Sequence, residues 1–240
     1  MRSRSTVAFS LVALVLPTAV AWVYFVALAT GGEPNPRQQA VYAAGKVVQF
    51  GLPVVWLLLV ARAWPRPDGS VWKGVPLGVA FGVLVAVVMI AAYRLWLART
   101  AAFATTPAKV LEKVRELGVD TPGRFLALAV FLSGMHSLLE EYYWRWFVFG
   151  RLREWLPRTV AIVVSAVGFT AHHVIVLGVY FPGRWLQAVV PFAAGIAVGG
   201  AFWAWLYDRS GSLLGPWLGH LLIDAAIFVI GWDLLLAASR

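Results

Sequence analysis

Seven apolar runs, at 7–29, 41–61, 75–98, 124–149, 159–181, 185–207 and 213–236, occupy most of this 240-residue chain. Each is long enough to cross a bilayer, which takes about 20 helical residues. They are rich in Val, Leu, Ala and Trp and lack the alternating polarity of a transmembrane strand. The expected fold is all-α: a polytopic transmembrane helical bundle of about seven spans plus one amphipathic surface helix. Composition agrees, with 61% hydrophobic and 13% charged residues. Such a chain cannot cover itself with polar surface, which excludes a soluble globular enzyme, a disordered protein and a nucleic-acid module. One membrane domain, 1–240, is expected, with N-terminal spans in 1–99 and a chemistry-bearing core in 124–236.

The charge excess is +9, from 20 Lys+Arg against 11 Asp+Glu. Much of it flanks the apolar runs (Arg2, Arg4, Arg62, Arg66, Arg99, Arg151, Arg153, Arg158), as cations do beside anionic headgroups. The partners implied are the lipid bilayer and a membrane-borne substrate, with no nucleic acid. Arg2 and Arg4 favour a cytoplasmic N-terminus, although Lys109, Lys113 and Arg115 then fall on the far side. The first run has a signal-like end at Ala27-Leu28-Ala29, but its length exceeds a signal core and it reads as a retained span. There is no cysteine, so no disulfide, thiolate nucleophile or Cys-type zinc site.

Proline and glycine mark short loops at Pro34-Asn35-Pro36 and from Trp64 to Gly69. In the polar stretch 100–123, Thr106 as N-cap, Pro107 as first helical residue and Gly118 as stop bracket an amphipathic helix. Val110, Leu111, Val114 and Leu117 form its apolar stripe, suited to the membrane surface. Gly74, Gly78 and Gly82, and again Gly195 and Gly199, have the four-residue spacing that lets helices pack closely. Trp144, Trp203 and Trp205 read as interface anchors and packing groups.

Ionisable groups inside a membrane are costly and mark functional sites. Here they concentrate in three runs: His136, Glu140, Glu141 and Arg145 in the fourth, His172 and His173 in the fifth, and His220 and Asp224 in the seventh, with Asp233 nearer its end. All four histidines of the chain are among them. Spacing by four puts Glu141 with Arg145, His136 with Glu140, and His220 with Asp224. Glu140 and Glu141 point about 100° apart. Glu141 is expected to be compensated by Arg145, leaving Glu140 for general-base work. Imidazoles from the other two helices would bind a metal or stabilise an oxyanion. His136 and His172 read as supporting or structural.

Glu140-Glu141-Tyr142-Tyr143-Trp144-Arg145, Phe169-Thr170-Ala171-His172-His173 and His220-Leu221-Leu222-Ile223-Asp224 follow in order on separate spans. Together they resemble the CPBP intramembrane proteases, which include the type II CAAX prenyl endopeptidases and bacteriocin-processing or immunity relatives. The resemblance covers roughly 120–236, helped by the approach Gly211–His220. It implies an endopeptidase of metallo- or glutamic type acting on a membrane-anchored protein or peptide. By position it makes Glu140, Glu141, Arg145, His173, His220 and Asp224 catalytic. Zinc or another divalent cation would be held by Glu140, His173, His220 and Asp224. Where the prenyl endopeptidases often carry Asn, this chain has Asp224. An ionised carboxylate repels an oxyanion, so Asp224 must be protonated, orient His220 or hold a cation. The short chain points to a multi-pass protein of a bacterial inner membrane. The alternatives are a non-proteolytic immunity or scaffold protein and an ion-coupled transporter. The transporter lacks the expected pair of interrupted helices in matching halves.

Overall fold

The computed structural model describes residues 4–29, 35–61 and 70–238, and the side chains of 6–29, 35–60 and 70–238. Among these there is no β-strand. Seven helices have the length and hydropathy of membrane spans: Thr6–Ala27, Pro36–Val60, Val75–Arg99, Pro122–Leu152, Arg158–Tyr180, Trp185–Ser210 and Leu214–Ala238. The chain is a multi-pass integral membrane protein. Arg2, Arg62, Arg66, Pro34 and the loop from Trp64 to Gly69 lie outside the described residues, as does the Arg4 side chain.

The second span starts five residues ahead of its apolar run. Asn35 is its N-cap, its side-chain oxygen accepting from the Gln38 N–H at 3.1 Å, and Pro36 opens the helix rather than sitting in a loop. A polar first turn hides this start from hydropathy. The short helix spans Thr106–Glu116, and its N-cap is Thr105, not Thr106, with no side-chain capping bond. Gly118 ends it at φ +65°, a left-handed conformation that glycine supplies without strain. Its stripe is shorter than expected, because Val114 is buried while Leu117 is exposed. Val110 and Val114 pack with Phe125, Val119 and Leu235 of neighbouring segments.

In hydrocarbon, freed backbone carbonyls need new donors. Pro17 inside the first span cannot donate to the Ala13 carbonyl four residues earlier. The Tyr143 hydroxyl donates to that oxygen at 2.7 Å and so ties the first span to the fourth. The fourth span contains two wide π-type stretches, Phe131–His136 and Tyr142–Phe149, flanking one regular stretch at Ser137–Glu141. Ser137 donates to the Ser133 carbonyl, and Trp217 Nε1 of the seventh span donates to the Gly134 carbonyl at 2.9 Å.

The third and seventh spans cross with backbones in contact. A Cβ on Gly78 would sit 2.0 Å from the Gly215 oxygen, one on Gly82 2.7 Å from the Gly219 oxygen, and one on Gly219 2.7 Å from the Gly78 oxygen. This crossing fixes the segment that carries His220. The second glycine pair differs from expectation. A Cβ on Gly195 meets nothing, and one on Gly199 meets only Trp203 of its own helix. Gly200 is the close-packed one, facing Ala166 and Phe169 of the fifth span.

Gly78→Ala therefore forces two backbones apart and should cost at least the roughly 1–3 kcal/mol typical of overpacking. Thermal unfolding in detergent is expected to show a lower midpoint for Gly78→Ala and none of that loss for Gly195→Ala. Equal midpoints would contradict the backbone crossing.

Candidate active site

Glu141 has no exposed surface. One of its oxygens, Oε2, lies 2.9 Å from Arg145 Nε, one helical turn on. The other, Oε1, accepts from His220 Nδ1 at 2.9 Å across to the seventh span. A carboxylate only accepts, so the proton of that bond is on Nδ1. The Arg145 guanidinium lies 4.7 Å from the Phe169 ring centroid and 5.4 Å from that of Trp203. Its terminal nitrogens find no hydrogen-bond acceptor among the described residues. One carboxylate and two π faces thus hold a fully buried cation.

Glu140 points elsewhere, as the 100° offset requires. It is 4% exposed and surrounded by imidazoles from three spans. His172 Nε2 is 3.6 Å and His136 Nε2 4.0 Å from its Oε1, and His220 Nε2 is 3.8 Å from its Oε2. The Asp224 carboxylate lies 3.6 Å from the same His220 nitrogen. The ring N–H that orients His220 goes to Glu141, so Asp224 stands on the opposite edge of that ring.

His173 Nδ1 donates to the Phe169 carbonyl at 2.8 Å, which leaves Nε2 bare. Glu140, His172 and His173 each bring one ligand atom within 4.8 Å of the others. Both ring nitrogens of His172 are buried without a hydrogen-bond partner among the described residues. This donor set of one carboxylate and two imidazoles fits a divalent cation that keeps an open position for water. His220 and Asp224 are outside that group.

The tryptophans serve the site. Trp144 and Trp203 are buried rather than placed as interface anchors. Trp144 lies parallel to the His172 ring with centroids 5.8 Å apart, and Trp203 stacks on His220 at 4.4 Å. Phe169 meets both of these histidines edge-on, each at a similar spacing. Gly168 leaves room for this frame, since a Cβ there would lie 2.5 Å from Leu14 Cδ1 and 3.1 Å from Trp144 Cζ3.

Residues 122–226 match the family model described as type II CAAX prenyl endopeptidase Rce1-like. That segment is similar to this family. It contains every residue from Glu140 to Asp224 named above. No curated protein and no solved structure matches the chain.

His172, which sequence alone leaves in a supporting or structural role, is the histidine nearest to Glu140. Lys46, in the second span, is a further ionisable residue inside the bundle. A lone lysine inside an apolar run was the available signal, and it lies outside the family motifs.

Removing one partner of a buried pair strands the other, at a cost of roughly 3–5 kcal/mol. Arg145→Met is expected to lower unfolding stability by that order, and Glu141→Leu/Arg145→Met to regain part of it. A double variant no more stable than the single one would mean that the ion pair is not what Arg145 contributes.

Proposed function

We propose that the protein is a membrane-embedded endopeptidase. It hydrolyses a peptide bond near the C-terminus or membrane anchor of a membrane-associated protein or peptide, and residues 124–236 carry the chemistry. The observation that supports this is a single buried carboxylate, Glu140, within 4.0 Å of imidazoles from three spans, inside an Rce1-like segment. These separations are too long for good direct hydrogen bonds and suit a bridging water.

Glu140 takes a proton from that water as its oxygen attacks the scissile carbonyl carbon. His220, held through Nδ1 by Glu141, donates from a protonated Nε2 to the oxyanion that forms. Asp224 is in place to orient the same edge of the ring. Glu140 then passes its proton to the departing amine, which leaves one new carboxyl and one new amino terminus. Arg145 pairs with Glu141 and fixes it, so that Glu141 positions His220 and Glu140 does the proton transfer. His173, its tautomer set by the Phe169 carbonyl, turns Nε2 toward the water. A divalent cation such as zinc, held by Glu140, His172 and His173, would supply Lewis-acid polarisation.

The test compares the membrane and secreted proteomes of cells carrying wild-type protein or Glu140→Ala. C-terminal peptides that persist only with the variant would establish proteolysis and identify the substrate. Identical profiles, with the variant folded and inserted, would overturn this reading in favour of a non-proteolytic immunity or scaffold protein.

A further inference from the structure

Lys46 lies ten residues inside the second span, which runs Pro36–Val60. At 1.5 Å per residue this is about 15 Å from the helix start, too deep for easy snorkelling to headgroups. It shares one helix face with Tyr42 and Phe50, at four-residue spacing. Its Nζ sits 5.5 Å from the Tyr42 ring centroid and 5.4 Å from that of Phe50. Among the described residues it forms no ion pair with a carboxylate. Phe50 in turn meets the His136 ring edge-on at 6.1 Å, and His136 lies 4.0 Å from Glu140. A cation without a close ion-pair partner among the described residues thus stands on the His136 side of Glu140.

We propose that Lys46 is a specificity determinant that binds a carboxylate of the substrate and sets which peptide bond reaches Glu140. Two aromatic faces stabilise the ammonium without neutralising it, so its charge is left for a ligand. The carboxylate is either the terminal one of the peptide or an acidic side chain beside the scissile bond. Three other cations pair with carboxylates: Arg153 and Arg158 with Asp208, and Arg94 with Asp233. This inference builds on the endopeptidase reading.

The experiment uses the full-length protein in proteoliposomes and membrane-anchored peptides differing only in a C-terminal carboxylate or carboxamide. A second peptide pair carries Glu or Gln next to the cleavage site. Binding and hydrolysis are both followed. Wild-type protein is expected to bind the acid of one pair about tenfold more tightly than its neutral twin, the ratio of one charge-assisted hydrogen bond. Whichever pair shows the ratio identifies the source of the carboxylate. Lys46→Gln should bring that ratio close to one, and Lys46→Arg should keep it. Equal binding of both pairs by wild-type protein overturns the proposal without any variant. A ratio that survives in Lys46→Gln also overturns it. If acid peptides bind preferentially but nothing is cut, the endopeptidase reading fails while the role of Lys46 stands.

Discussion

Glu141 joins two spans that chain order leaves far apart. One oxygen meets Arg145 on its own helix, and the other accepts from His220, 79 residues away. In water such contacts would be exchanged freely. Between packed helices in hydrocarbon they offset the cost of burying a carboxylate and a guanidinium. The same contacts fix the His220 tautomer and turn its Nε2 toward Glu140. The division of labour between adjacent glutamates rests on this. Glu141 has a partner beside each oxygen, and Glu140 has imidazoles around it at distances that leave room for a reactant.

The rest of the bundle brings those two spans together and holds them at one register. Glycine on both sides lets the third and seventh spans touch at the backbone just before His220. The Trp217 bond to the Gly134 carbonyl closes the fourth span onto the seventh two residues before His136 and six before Glu140. The Tyr143 bond to Ala13 turns a proline defect in the first span into a clamp on the fourth. π-type turns, which are often found at functional sites, widen the fourth span on either side of Glu140 and Glu141.

Much of this was legible in the sequence because it depends on local quantities. Hydropathy and run length give the spans, since both are summed along the chain. The Glu141–Arg145 pair and the divergence of Glu140 from Glu141 follow from helical spacing alone. What depends on helix rotation and register was not legible. His172 and His173 are neighbours that point in different directions, and only the packing of the fifth span decides which comes nearest Glu140. The Glu141–His220 bond crosses between helices and leaves no periodic trace. Gly195 and Gly199 have the right spacing but face no partner helix, whereas Gly200 does. Trp144 and Trp203 read as interface anchors and packing groups, because composition alone cannot show that a tryptophan stacks on a buried imidazole.

The most direct measurement of the central claim is hydrolysis by purified protein in proteoliposomes. Membrane-anchored peptides would be incubated with wild-type protein or Glu140→Gln, at equal folded amounts, and the termini formed would be read by mass spectrometry. The account predicts a defined new C-terminus with wild-type protein and its loss in Glu140→Gln, an isosteric change that leaves the Glu141–Arg145–His220 contacts in place. The same terminus forming at the same rate with both proteins would show that Glu140 is not the base and would contradict the account.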